Sequence, residues 1–104
     1  MDALELEMPI GILQAAQLTF TGGVTAFLYQ PNVWGFSLVG VVYRDWKDRF
    51  RSGRLIRTSN VSEFDHEHGY LIAITGSGSR YVLVDPALQP TSPLWGELID
   101  PTAH

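Results

Sequence analysis

Two apolar runs, YLIAIT (70–75) and RYVLVD (80–85), flank the four-residue stretch GSGS. Short runs rich in β-branched and aromatic residues on either side of a glycine-rich turn predict a β-hairpin, which Pro86 ends. The same pattern recurs upstream. VTAFLYQ (24–30) predicts a strand and Pro31-Asn32 breaks it. VWGFSLVGVVY (33–43) predicts another strand, with Gly35 and Gly40 as bends or bulges. After Gly53, RLIRTSNVSEFD (54–65) places Leu55, Arg57 and Ser59 on one face and Ile56, Thr58 and Asn60 on the other, which predicts a half-buried strand.

Residues 9–20, PIGILQAAQLTF, fit two patterns. Pro9 suits a first helical turn and Gly22-Gly23 a helix end, and Ile10, Leu13 and Ala16 are spaced for one helical face. Gly11 weakens the helix. The rival is a strand through Leu18 and Phe20 that turns back through Gly22-Gly23 into Val24; the helix is preferred. Residues 86–104 contain Pro86, Pro90, Pro93 and Pro101 and predict an extended tail, which Leu94, Trp95, Leu98 and Ile99 would fold back onto the sheet. The sum is a single α+β domain over 1–104. Its expected core is a small antiparallel β-sheet or partly closed SH3-like barrel of four to five strands with one N-terminal helix.

Composition changes this picture by exclusion. The chain has 104 residues, 45% hydrophobic and 17% charged, and no cysteine. It is too apolar for disorder, and thiolate metal sites, disulfides and cysteine nucleophiles are ruled out. Asp2, Glu5 and Glu7 stand where a signal peptide needs basic residues, and the longest apolar stretch is far short of the ~20 residues that cross a membrane. A cytoplasmic protein with no membrane contact is expected. The formal charge of −4 is unevenly spread: residues 43–59 hold six basic and two acidic groups, a net of +4, while elsewhere Arg80 faces nine carboxylates, a net of −8. Such a dipolar chain can meet a basic or an acidic partner.

The segment VVYRDWKDRFRSGRLIRTSNV (41–61) and the later SRYVLV (79–84) carry a resemblance. An apolar strand with Val41 and Val42 leads to a loop with Asp48. Arg49-Phe50 then precede Gly53, and Ile56, Thr58, Ser59 and Val61 follow; Tyr81 lies in the closing hairpin. Over residues 41–84 this resembles an uncharacterised family of small proteins from proteobacteria and their phages. The resemblance implies a mobile-element accessory protein with a fold like half of an SH3-like barrel. It implies no activity.

Each candidate for chemistry has a plainer reading beside it. In the basic stretch, Arg44, Lys47, Arg49, Arg51, Arg54 and Arg57 alternate with Trp46 and Phe50, as phosphate and base contacts would require. Asp45 and Asp48 cancel part of that field, and strand alternation sends Arg54 and Arg57 to opposite faces. In DHEHG (65–69), His66 and His68 would share a face in extended backbone, but two imidazoles are not a metal site, so no metal and no cofactor are expected. TGSGSR (75–80) could cradle an anion beside Arg80, yet it lacks the Gly-Lys-Ser/Thr of a P-loop and reads first as a turn. Among the three tryptophans, Trp34 is expected in the core, while Trp46 and Trp95 would cover the core or anchor an interface. No nucleophile elbow or triad context is present, so an enzyme is not expected.

The leading expectation is therefore a non-enzymatic protein-binding module. In the context the resemblance implies, it would be a phage- or prophage-encoded inhibitor of a bacterial defence complex, such as an anti-CRISPR protein, acting by steric or charge-mimic blocking. Its partner would be a larger bacterial protein or nucleoprotein complex, met by Glu63, Asp65, Glu67, Trp46, Trp95, Arg49, Arg51 and Arg54. One alternative is a binder of small anions, nucleotides or nucleic acid through Arg49, Arg51, Arg54, Arg57 and Arg80. Another is an oligomeric accessory protein, such as a homodimer paired through an edge strand.

Overall fold

In a computed structural model, residues 8–47 and 50–85 are described. The described residues form one short helix and a six-stranded, mostly antiparallel sheet. Helix α1 spans Ile10–Ala16. The strands are β1 (Ala26–Trp34), β2 (Ser37–Tyr43), β3 (Arg54–Arg57), β4 (Val61–Glu67), β5 (Tyr70–Thr75) and β6 (Arg80–Val84). Their spatial order is β3-β2-β1-β6-β5-β4. The predicted hairpin of 70–75 and 80–85 is β5–β6, paired from Leu71↔Leu83 to Ile74↔Arg80.

The middle of the sheet follows from hydrophobicity. Along β5, β6 and the first half of β1, residues pointing to either face are apolar, which suits strands covered on both sides. These strands are adjacent, and β1 and β6 run parallel, from Ala26↔Tyr81 to Tyr29↔Val84. The sequence predicted only antiparallel neighbours, because hairpin signals are local and this pair joins distant segments.

Three further expectations are corrected. The strand expected to stop at Pro31-Asn32 continues to Trp34. Tyr29 pairs with Val41 and Asn32 with Val39, so Gln30 and Pro31 together oppose Gly40 in a bulge. β6 has ended by then, so Pro31 withholds no N–H from a ladder on that side. The turn falls instead at Gly35-Phe36, where Gly35 has φ 61. Next, residues 54–65 form two strands rather than one. β3 pairs with β2 at one edge of the sheet, and β4 pairs with β5 at the other. Finally, the buried face of α1 is Ile12 and Ala15, joined by Met8 just before the helix, and Ile10 is 74% exposed. Both sets suit a helical period. The close packing of Gly11 on β6, where an added Cβ would lie 3.1 Å from Val84 Cγ1, selects the observed one.

Two apolar layers result. On the face away from the helix, Leu28, Leu38, Val42, Ile56, Leu71, Ala73, Tyr81 and Leu83 cluster, with Phe50, Val61 and Phe64 against them. This cluster draws on both edge strands, so the sheet is curled. The link from Arg57 to Val61 is four Cα–Cα steps and spans at most ~14 Å. Val61 N–H donates to Phe36 O (2.7 Å) and Thr58 N–H to Leu38 O (2.8 Å), while Thr58 Oγ1 accepts from Leu38 N–H (3.0 Å). The sheet nevertheless stays open and is not a barrel. On the other face, α1 and Phe20 cover Phe27, Ile72, Val82 and Val84. The predicted tail, 86–104, lies outside the described residues, and no helix among the described residues is long and apolar enough to cross a membrane.

Candidate functional site

Strand period explains the placement of the acidic residues. In β4, Glu63, Asp65 and Glu67 alternate onto the helix-covered face, opposite Ile74, Ile72 and Tyr70. Arg80 of β6 pairs with Ile74 and so points to the same face. Its Nη2 reaches Asp65 Oδ2 at 3.3 Å and Glu67 Oε2 at 3.4 Å, and its Nε donates to Gly23 O at 3.1 Å. Glu67 also accepts Thr21 N–H (2.7 Å), Thr21 O–H (3.0 Å) and Gly22 N–H (3.4 Å). These bonds fasten the loop after α1 to the sheet. They hold both carboxyls below their ordinary range: Glu67 chiefly through the Thr21 N–H, Asp65 chiefly through the His66 N–H and then Arg80. Two of the three acids expected to meet a partner are thus paired within the molecule, Asp65 while remaining exposed like Glu63 and Glu67 while half-buried.

His68 and Gly69 form the two-residue turn between β4 and β5, both with positive φ (54 and 81), as a tight hairpin with the right twist requires. His68 Nε2 lies 2.7 Å from Thr19 O, and its ring meets Phe20 edge-on. Among the described residues, no group of three His, Asp or Glu side chains could hold a metal ion. In the Gly76–Ser79 turn three backbone donors are spent within the protein: Gly76 N–H on Asn60 O, Gly78 N–H on Thr75 O and Ser79 N–H on Thr75 Oγ1.

The basic stretch divides as its period predicts. Arg54 is opposite Val42, on the face away from the helix, and Arg57 is opposite Val39, on the helix-covered face. Arg51 and Arg54 are exposed; Arg49 and Trp95 lie outside the described residues. No ion pair is found among the described residues for Arg44, Arg51, Arg54 or Arg57. Arg57 is nonetheless held: its Nε donates to Ser37 Oγ (2.9 Å), which donates to Trp34 O (2.9 Å).

That chain of bonds leads to the feature the sequence reading missed. Val33, Trp34 and Phe36 at the β1–β2 tip are 60%, 61% and 81% exposed. Trp34 is therefore not core, as it had been expected to be. The available signal was the aromatic-Gly-aromatic triplet Trp34-Gly35-Phe36, a turn with two large side chains. Trp46 is 84% exposed and stands apart in the β2–β3 loop, where its N–H donates to Thr25 O (2.6 Å).

Comparison of the chain with protein-family models, with curated proteins and with solved structures gave no match.

Proposed function

We propose that the protein is a non-enzymatic binding module that docks on a larger protein through the β1–β2 tip. The observation that carries this reading is the exposure of Val33, Trp34 and Phe36 together on a turn whose backbone is hydrogen-bonded beneath them. Large apolar groups left in water at a fixed position favour an interface, and Trp and Arg are the residues that most often dominate one. Arg57, anchored on Ser37, supplies a cation beside the anchors and favours a partner with an acidic rim around an apolar pocket. The internal pairing of Asp65 and Glu67 weighs against an acidic mimic surface on β4. An inhibitor of a bacterial defence complex remains the concrete form of this proposal, and it rests on the resemblance over residues 41–84.

Affinity capture from bacterial lysate, run in parallel with wild type and with Trp34→Ala/Phe36→Ala, tests it. A protein retained in stoichiometric amount by wild type and lost from the double variant is expected. Loss of a buried Trp anchor costs about 2 kcal/mol or more, roughly thirtyfold in affinity. Equal retention by both, or no stoichiometric partner, overturns the proposal.

A further inference from the structure

A cleft of about 520 Å³ opens beside α1, lined by Ala16, Leu18, Val24, Phe27, Arg44, Asp45 and Trp46. Its volume lies in the range of small-molecule sites. The lining divides by chemistry. Ala16, Leu18, Val24 and Phe27 are apolar, and Phe27 belongs to the layer that α1 covers. Trp46 contributes a large ring left almost wholly in water, on a backbone tied by its N–H to Thr25 O.

The two charged groups are not equivalent. Asp45 turns into its own loop: Oδ1 accepts Lys47 N–H (3.1 Å) and Oδ2 accepts Phe50 N–H (3.1 Å). The Arg44 guanidinium has no carboxylate partner among the described residues. Its backbone is held at φ 52, a left-handed conformation unusual for a residue with a side chain, with its N–H on Ser52 Oγ (3.0 Å). Such strained positions gather at ligand clamps. The cleft thus offers apolar walls, one stacking face and one available cation.

We propose that this cleft binds a planar aromatic acid. The ring stacks on Trp46 against Val24 and Phe27, and the carboxylate meets Arg44, whose fork of N–H donors suits two oxygens. The site is independent of the β1–β2 tip and shares no residue with it.

Titration of the isotope-labelled full chain with 2-naphthoate, followed by heteronuclear NMR, tests the proposal. Two comparison compounds accompany it: 2-naphthalenemethanol keeps the ring without the charge, and cyclohexanecarboxylate keeps the charge without the ring. Naphthoate is expected to bind most tightly of the three and to move the signals of Ala16, Val24, Phe27, Arg44 and Trp46. Arg44→Gln is expected to weaken naphthoate about fivefold, the upper range for an exposed ion pair, and to leave the alcohol unchanged. Trp46→Ala is expected to weaken both naphthalenes. Naphthoate binding no tighter than the alcohol in wild type, signals moving elsewhere, or no saturation at millimolar ligand would each overturn the proposal, without reliance on any variant.

Discussion

Substituting Gly40 with alanine tests the account of the bulge. A Cβ at this position would lie 2.8 Å from Leu28 Cγ and 3.0 Å from Tyr29 O. Leu28 is fully buried, and Tyr29 O belongs to the neighbouring backbone, so neither can swing into solvent. Replacing glycine within a strand would by itself stabilise by about 0.5–1 kcal/mol. Overpacking a filled core costs about 1–3 kcal/mol. Mid-range values leave a net destabilisation of about 1 kcal/mol. Urea unfolding monitored by tryptophan fluorescence reads this as a midpoint lowered by roughly 1 M, for a slope of about 1 kcal/mol/M. Gly40 also faces Gln30 and Pro31 across the bulge, so the backbone shift should appear as altered amide signals from Tyr29 to Asn32. A variant as stable as wild type, with those signals unmoved, would refute the reasoning.

Gly11→Ala offers a contrast: its new Cβ would meet only Val84 Cγ1, at 3.1 Å, while helix propensity improves by about 1 kcal/mol, so unfolding should show a stability change within about 0.5 kcal/mol. Acidification should release the loop after α1. Because Asp65 and Glu67 titrate below their ordinary values of ~3.9 and ~4.3, their contribution is present above those values and lost as pH falls through the lowered ones. Amide exchange at Thr21 and Gly22, referenced to the unfolded chain at each pH, should lose protection in that window and keep it at pH 6–7. Arg80→Met should remove the same protection already at neutral pH, leaving β5–β6 amides slow to exchange. Tyr43 ionises above the usual tyrosine value because burial, and then Tyr29, disfavour its phenolate; stability should fall as pH rises beyond ~10, and Tyr43→Phe should reduce that fall.

Local pattern was a good guide wherever one strand and its turn contained the whole signal. The β5–β6 hairpin is where YLIAIT, GSGS and RYVLV placed it, and the split of Arg54 and Arg57 across β3 followed from period two. Pattern failed where a distant neighbour decided the outcome. Pro31 reads as a strand breaker unless β6 is known to end before it. Trp34 reads as core because it sits in an apolar run, and only the Gly35-Phe36 turn carries it out to solvent. Asp65 and Glu67 were legible as acids but not as partners of Arg80, which approaches from β6 through a sheet order that no spacing reveals. The cleft under Trp46 unites the ends of α1 and β2 and the start of β1, so no single segment announces it.

The parallel seam between β1 and β6 divides the molecule into two consecutive halves. Residues 8–57 form α1 and the meander β1-β2-β3, and residues 61–84 form the meander β4-β5-β6. Among the described residues, each meander's ladders run between sequence neighbours, and the four-pair β1–β6 ladder joins the two meanders, with Val61 N–H on Phe36 O as a further bond between them. The covalent tie is the exposed Ser59-Asn60 link at the far edges. A backbone cut between those two residues should therefore yield fragments that find each other in solution and rebuild the sheet, with an association constant set by the seam and the two shared apolar layers.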